Sequence, residues 1–438
     1  MWEFHPPRIR LRGSPHLPGA IAARLRADFE QFRDGLPRPL EAYVREAYEI
    51  DLTSEYGGRR IKNPFGKASG QLSLATHQIE RDAEAGLGFV VLKTLIAQNR
   101  AGEQAMREWA IPETRMLVER IRGRSGMEGW TVTWKGRGWF DTFRAYLDLF
   151  GQGLRMGDEA GMAVIPSVKY HLPTPGQDFW DEEEYNFTTA ALVEVWNRNR
   201  PGEAMPLEKD FSPTLAGSER AAQQVRILEW LDRVPTLIQR AAPGKVAVGL
   251  KLFNTLFEDA FQVVMLEAVH SIAAGEARAD FLVYANRLFD PQKRFEDKVG
   301  VAYGGPDLSD RNLATLERYL TQSSQKGGAG KSGPAPLPLS ATGDIHSGRI
   351  AAEYLLRGAS SFQMHTLFQL PDDEFPMRGG NKSEKALHRL LFDPENGFIA
   401  WFIDLRERVR WRPALNVSEM SAWCRSHWQE VAKEFGQG

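Results

Sequence analysis

The feature that most constrains this chain is a rhythm. From about residue 50, apolar β-rich runs recur, separated by stretches of helical periodicity. The runs are PFGKASG (64–70), GFVVLKT (88–94), VIPSVKY (164–170), LVEVWN (192–197), AVGLKLFN (247–254), FLVYAN (281–286), LPLSAT (337–342) and SFQMHT (361–366). A shorter run is WTVTW (130–134). Between most of them lie helical patterns such as THQIERDAEAG, SERAAQQVRILEWLDR, LFEDAFQVVMLEAVHSIAAG and DRNLATLERYL. Continuous apolar strands alternating with helices describe a parallel sheet covered on its outer side. Eight such strands over about 300 residues predict an α/β fold, a (β/α)8 TIM barrel, in preference to an open doubly wound sheet.

The flanks read differently. Ile21, Leu25, Phe29, Phe32 and Leu36 fall on one helical face, and so do Leu40, Tyr43, Val44, Ala47 and Tyr48. Their polar faces mix acids and bases, which favours an N-terminal helical cap over residues 1–50 above a membrane-surface segment. The barrel is expected over 51–370, and 371–438 reads as a C-terminal helical extension rich in Trp and Phe. QKGGAGKSGPAP (325–336) resembles a phosphate-binding loop in composition only. Gln325 stands where the first glycine is needed and no apolar strand precedes it, so a surface loop is predicted.

The 55 Lys and Arg nearly balance 57 Asp and Glu, which argues against nucleic acid as a partner. The single cysteine, Cys424, excludes an internal disulfide, a zinc finger or an iron–sulfur cluster, and no metal site is expected. No run of about 18 apolar residues occurs, so no membrane span is expected, and a cytoplasmic location fits.

Chemistry in a barrel gathers at the C-terminal ends of the strands. The residues closing the predicted strands are Ser69 and Gly70, Lys93 and Thr94, Lys169, Asn197, Lys251 and Asn254, Asn286, Thr342 and Gly343, and His365 and Thr366. So many buried donors on one rim call for an electron-rich ligand. The last two units, ATGDIHSGRIAAEYLLRGASSFQMHT, pair glycine with a helix N-terminus, which suits an anion after strands seven and eight. A plain strand–helix turn would also use Gly343 and Ser347.

At this point NPFGKASG, GLGFVVLKT, GLKLFN, YAN, YGGPDLSDRNL and ATGDIHSGRIAAEYLLRGASSFQMHT, in that order, resemble the dihydroorotate dehydrogenase superfamily. These are FMN-binding barrels, and the flavin domain of dihydropyrimidine dehydrogenase belongs with them. The resemblance implies FMN as cofactor. It implies that Ala68, Ser69 and Gly70 line the flavin, that Lys93 and Thr94 face its edge and the substrate, and that Asn197 and Asn286 contact substrate. Lys251 would sit near flavin N1 and O2, Gly304 and Gly305 beside the ribityl chain, and Gly343 and Thr366 at the phosphate. A fixed ammonium beside N1–C2=O also makes independent sense, because two-electron reduction places negative charge there.

The substrate side departs from the family. Aligned on Pro201, VEVWNRNRPG (193–202) takes the place of the motif Asn-x-Ser-(Cys or Ser)-Pro-Asn, with Asn197 as the first Asn. Arg200 then replaces the catalytic base, a role guanidinium cannot fill, and Gly202 replaces the second Asn. In WTVTWKGRGWFDTF, Trp130 and Gly136 stand where asparagines would grip a pyrimidine, and Asp344 replaces a glycine of the phosphate loop. Arg198, Arg200, Lys135 and Arg137 would meet an anionic substrate and Trp130 and Trp134 a planar one; alternatively the arginines are capped by Glu203, Glu208 or Asp210. His171 is a candidate proton carrier or a structural histidine. The resulting expectation is an FMN-dependent oxidoreductase acting on a CH–CH bond of a small molecule other than dihydroorotate, with Lys93, Asn197, Arg200 and Asn286 at the catalytic centre. A homodimer is compatible with it. Two alternatives stay open: a true dihydroorotate dehydrogenase with an unusual base, and a catalytically idle flavin- or phosphate-binding barrel serving as a partner subunit.

Overall fold

The computed structural model describes residues 9–110, 116–134, 138–271, 278–296, 298–326, 336–411 and 413–436. Eight parallel strands run around a closed circuit. They are β1 (Phe65–Lys67), β2 (Phe89–Val91, resumed at Leu95–Ile96), β3 (Ala163–Ile165 and Ser167–Lys169), β4 (Met205–Asp210), β5 (Val246–Lys251), β6 (Phe281–Tyr284), β7 (Leu339–Thr342) and β8 (Ala359–Met364). Each pairs with the next, and β8 returns to β1 with Phe362 opposite Phe65. Pro166 has no N–H and splits β3, but its carbonyl still accepts from the Glu208 N–H at 3.0 Å, so the wall stays continuous. The fold is a TIM barrel.

The fourth strand is not where the sequence pattern put it. LVEVWN (192–197) lies inside a helix, Glu182–Asn199. The Asp181 side chain accepts from the Glu184 N–H, and three glutamates fill the first turn, where acids favour a helix start. Tyr185, Thr188, Thr189, Leu192 and Trp196 are buried at spacings of three and four. Capping and helical periodicity therefore prevail over the β-propensity of two valines. The true strand is MPLEKD, every residue of it buried.

The helices are α1 (Gly19–Gln31), α2 (Leu40–Tyr48), α3 (Thr76–Ala85), α4 (Phe143–Ala160), α5 (Glu182–Asn199), α6 (Gln224–Ala241), α7 (Asp259–His270), α8 (Pro306–Lys326), α9 (Gly348–Leu356), α10 (Lys382–Phe392), α11 (Phe398–Arg408), α12 (Val417–Ser426) and α13 (Trp428–Glu434). The N-terminal helices meet the C-terminal ones: Phe32 of α1's end packs edge-on to Phe392 at 5.0 Å, and Phe29 stacks on His388 at 4.7 Å. Ile50 and Asp51 pair in parallel with Leu415 and Asn416. Among the described residues no helix is long and apolar enough to cross a membrane.

A hairpin, Ser54–Tyr56 with Arg59–Ile61, closes the N-terminal end of the barrel. Tyr56 and Ile61 join Phe89, Ile165, Phe281 and Val283 in a separate apolar cluster. Gly66 of β1, beside Phe89 of β2, and Gly249 of β5, beside Phe281 of β6, leave the space: a Cβ would lie 2.4 Å from the Phe89 ring and 2.0 Å from the Phe281 ring. At the opposite end two larger hairpins project, Met116–Arg122 with Glu128–Trp134, and Leu288–Phe295 with Lys298–Tyr303. WTVTW is thus a strand, but one outside the barrel. The Gly-rich loop at 327–335 lies outside the described residues.

Candidate active site

The C-terminal strand ends surround two adjoining chambers of about 290 Å³ and about 130 Å³. Asn286, Arg287, Thr342 and His365 line both. The smaller chamber gathers Ala68, Ser69, Lys93, Thr94, Lys251 and Asn286, all singled out from the sequence. The larger one gathers Gly304, Gly305, Gly343 and Thr366. Gly70 lines neither. It stands against His365, where a Cβ would fall 2.3 Å from the imidazole.

Charge is concentrated here. Lys251 donates to Glu208 at 3.1 Å and to the Gln363 side chain at 3.2 Å. Glu208 also accepts from Tyr56 at 2.9 Å and from Gln363 at 2.8 Å, so a buried carboxylate holds the ammonium from below. Burial pulls the Lys93 amine down to about 7; the Lys169 charge adds to that and Asp210 opposes it. Burial alone would raise the Asp210 carboxyl, but the ammoniums of Lys169 and Lys251 hold it below the usual range. Asn286 donates to Asp210 and to the Phe211 carbonyl, both at 2.8 Å, which fixes its amide across the mouth.

Burial pulls Arg287 down to about 9; its guanidinium donates to Thr131 at 3.3 Å and to the Val132 carbonyl. Burial, then the charges of Arg287 and three lysines, push His365 well below its ordinary value, which leaves the ring neutral. The Thr133 hydroxyl borders the smaller chamber, is buried, and has no hydrogen-bond partner among the described residues. It is ready for a polar ligand atom.

Asn197 and Arg200 are not part of this arrangement. They end α5, which runs back toward the N-terminal end of the barrel. Arg200 pairs with Asp158 and lies over Trp196 at 5.5 Å, beside Arg59, which pairs with Glu203. Arg198 pairs with Glu194 on the exposed face of the same helix. The reason is the misplaced strand: once 192–197 is helical, its end points away from the mouth. Lys135, Gly136, Arg137 and the Trp134 side chain lie outside the described residues. Trp130 borders the larger chamber, under Arg120 at 5.0 Å. His171 is buried away from both chambers; its Nδ1 accepts from the Asp181 N–H at 3.1 Å and supports the start of α5.

The true β4 brings residues that sequence reasoning missed. It delivers Asp210, Ser212, Pro213 and Thr214 to the smaller chamber. Ser212 and Thr214 share a hydroxyl–hydroxyl contact of 3.2 Å. A Ser-Pro step, Ser212-Pro213, thus follows the true fourth strand, whereas Pro201 follows a helix. The signal was present, but MPLEKD is too polar to register as a barrel strand. Asp344 adopts φ +51°, a left-handed conformation usually left to glycine. Its carboxylate engages Ser309 at 3.3 Å and His346 at 3.2 Å. Burial would lower His346, yet the Asp344 charge prevails and its pKa is raised.

No family model matches the sequence, and no curated protein matches it. A solved structure does. The DHODH of Eimeria tenella, in complex with ferulenol, aligns over 89% of this chain and 97% of that one, with a TM-score of 0.51 and 12% identity. The shared property is the barrel fold.

Proposed function

We propose that the chain is an FMN-dependent oxidoreductase that moves a hydride between the flavin and a carbon of a small-molecule substrate. The observation that carries this reading is the pairing of a cation-rimmed reaction chamber with a glycine-walled chamber at the ends of β7 and β8. The residues fit the group. Gly305 and Gly343, at φ +89° and +122°, bring bare backbone to the larger chamber, where Thr366 opens a short helical turn. Lys93, Lys251 and the unpartnered Thr133 hydroxyl offer donors in the smaller one.

FMN, when bound, supplies the two-electron redox chemistry. Lys251, anchored on Glu208, would help hold the flavin ring and favour the negative charge it gains on reduction. Lys93 adds a second ammonium whose charge is balanced near neutrality. Asn286, locked by Asp210, orients substrate. Ser212 Oγ is the group placed to take or return the proton at the substrate carbon, a role in which Arg200 no longer figures. Lys209 and Thr214, where the family keeps amides, favour a substrate other than dihydroorotate.

Oxidation of dihydroorotate itself is a second reading, supported by Ser212-Pro213. The visible spectrum of the purified protein, with flavin released by heat and identified, tests the first claim. A colourless protein that refuses added FMN overturns it. Anaerobic bleaching by dihydroorotate, with orotate formed, decides for the second reading.

A further inference from the structure

The larger chamber has an outer wall that the barrel does not build. Leu370, Glu374 and Arg389 border it, and Arg389 belongs to α10, beyond the last strand. The Arg389 guanidinium donates to the Glu374 carbonyl at 3.3 Å. Among the described residues no carboxylate lies within ion-pair distance of it. The neighbouring acids are committed elsewhere: Glu374 pairs with Arg120 at 2.8 Å, and Asp344 engages His346 and Ser309. Asp393, which also bears on Arg389, accepts the N–H groups of Glu395 and Asn396 at 2.9 and 2.8 Å. His346 borders the same chamber as Arg389, and the two act on each other electrostatically. The turn at Gly343 and Asp344 and the start of the turn at Thr366 form the other side.

The geometry points to Arg389 as a phosphomonoester-binding residue, acting with His346 and supplied to the barrel by the C-terminal helical region. This rests on the flavin reading above. A guanidinium with donors to spare, in a partly buried chamber, grips a phosphate through paired hydrogen bonds that a neutral side chain cannot replace. The protein then discriminates FMN from riboflavin, which has the same ring but no phosphate, and Arg389 carries a large share of that discrimination.

The test is titration of the full-length protein, freed of flavin by dialysis, with FMN and with riboflavin, read by quenching of flavin fluorescence. In the wild type FMN binds on the order of 100-fold tighter or more. Arg389→Gln weakens FMN about 10- to 100-fold and leaves riboflavin affinity as it was, which also shows that the variant is folded. Arg389→Lys keeps the charge without the fork and recovers part of the loss. If Arg389→Gln leaves the FMN-to-riboflavin ratio unchanged, the assignment of Arg389 is wrong while the flavin reading stands. A wild type that binds neither flavin overturns both.

Discussion

The two ends of the barrel are built from the same eight strands and are chemically opposite. At the N-terminal floor, Tyr56, Phe89 and Phe281 pack ring against ring, at 4.6 and 5.1 Å, in space left by glycines. The arginines nearby are neutralised: Arg59 by Glu203, Arg200 by Asp158. At the mouth, burial pulls the Lys93 amine down, and the ammoniums of Lys169 and Lys251 hold the Asp210 carboxyl below its usual range. An arginine cluster is therefore a poor guide to function unless its counter-ions are known. The floor is packed for closure; the mouth gathers buried amines and carboxylates at the strand ends, where perturbed proton affinities mark a candidate site.

The sharpest way to break this contrast is Ser212→Ala. Turnover falls about 10²- to 10⁴-fold with flavin stoichiometry retained, measured by stopped-flow reduction beside the absorption spectrum. A variant with wild-type turnover removes Ser212 from the chemistry. At the floor, Phe281→Ala costs about 3–5 kcal/mol in denaturant unfolding and leaves the bound flavin spectrum unchanged, because it opens a cavity far from the mouth.

Lys93→Met has the opposite sign for stability. The ordinary lysine value is 10.5 and the folded one about 7. Between those pH values the unfolded chain binds more protons at this position, so wild-type stability rises with pH there. Removing the amine stabilises the flavin-free protein at pH 7 by at least about 2 kcal/mol, a gain that shrinks toward pH 10, while reduction of the flavin slows. Thermal melts across that range check it; a gain that grows with pH contradicts the burial argument. The smallest effect is Arg200→Gln: under about 1 kcal/mol, with turnover unchanged, since it removes a partly exposed ion pair at the floor.

What could be read in advance follows the same division. Seven strands were legible as short, largely apolar runs set between helix-periodic stretches. β4 was not, because its inward residues are charges whose partners lie far along the chain: Glu208 meets Lys251 and Asp210 meets Lys169. No local pattern reports such compensation. The helix of 182–199 took its place because Val193 and Val195 imitate a strand when its caps are ignored. Lys93, Lys251 and Asn286 close legible strands and stand together at one chamber; Asn197 and Arg200 were carried off with the wrong strand, and Ser212 follows the strand that was missed. Asp344 holds the left-handed backbone that a glycine would more readily supply.

Glu208 links the contrasting ends. Tyr56, rising from the floor hairpin, and Gln363 of β8 donate to one of its oxygens, while Lys251 occupies the other. Any substitution that removes the tyrosine hydroxyl takes away one of the donors that fix this carboxylate beneath the lysine. The seating of the Lys251 ammonium at the mouth is thus set from beneath, by a side chain of the floor hairpin.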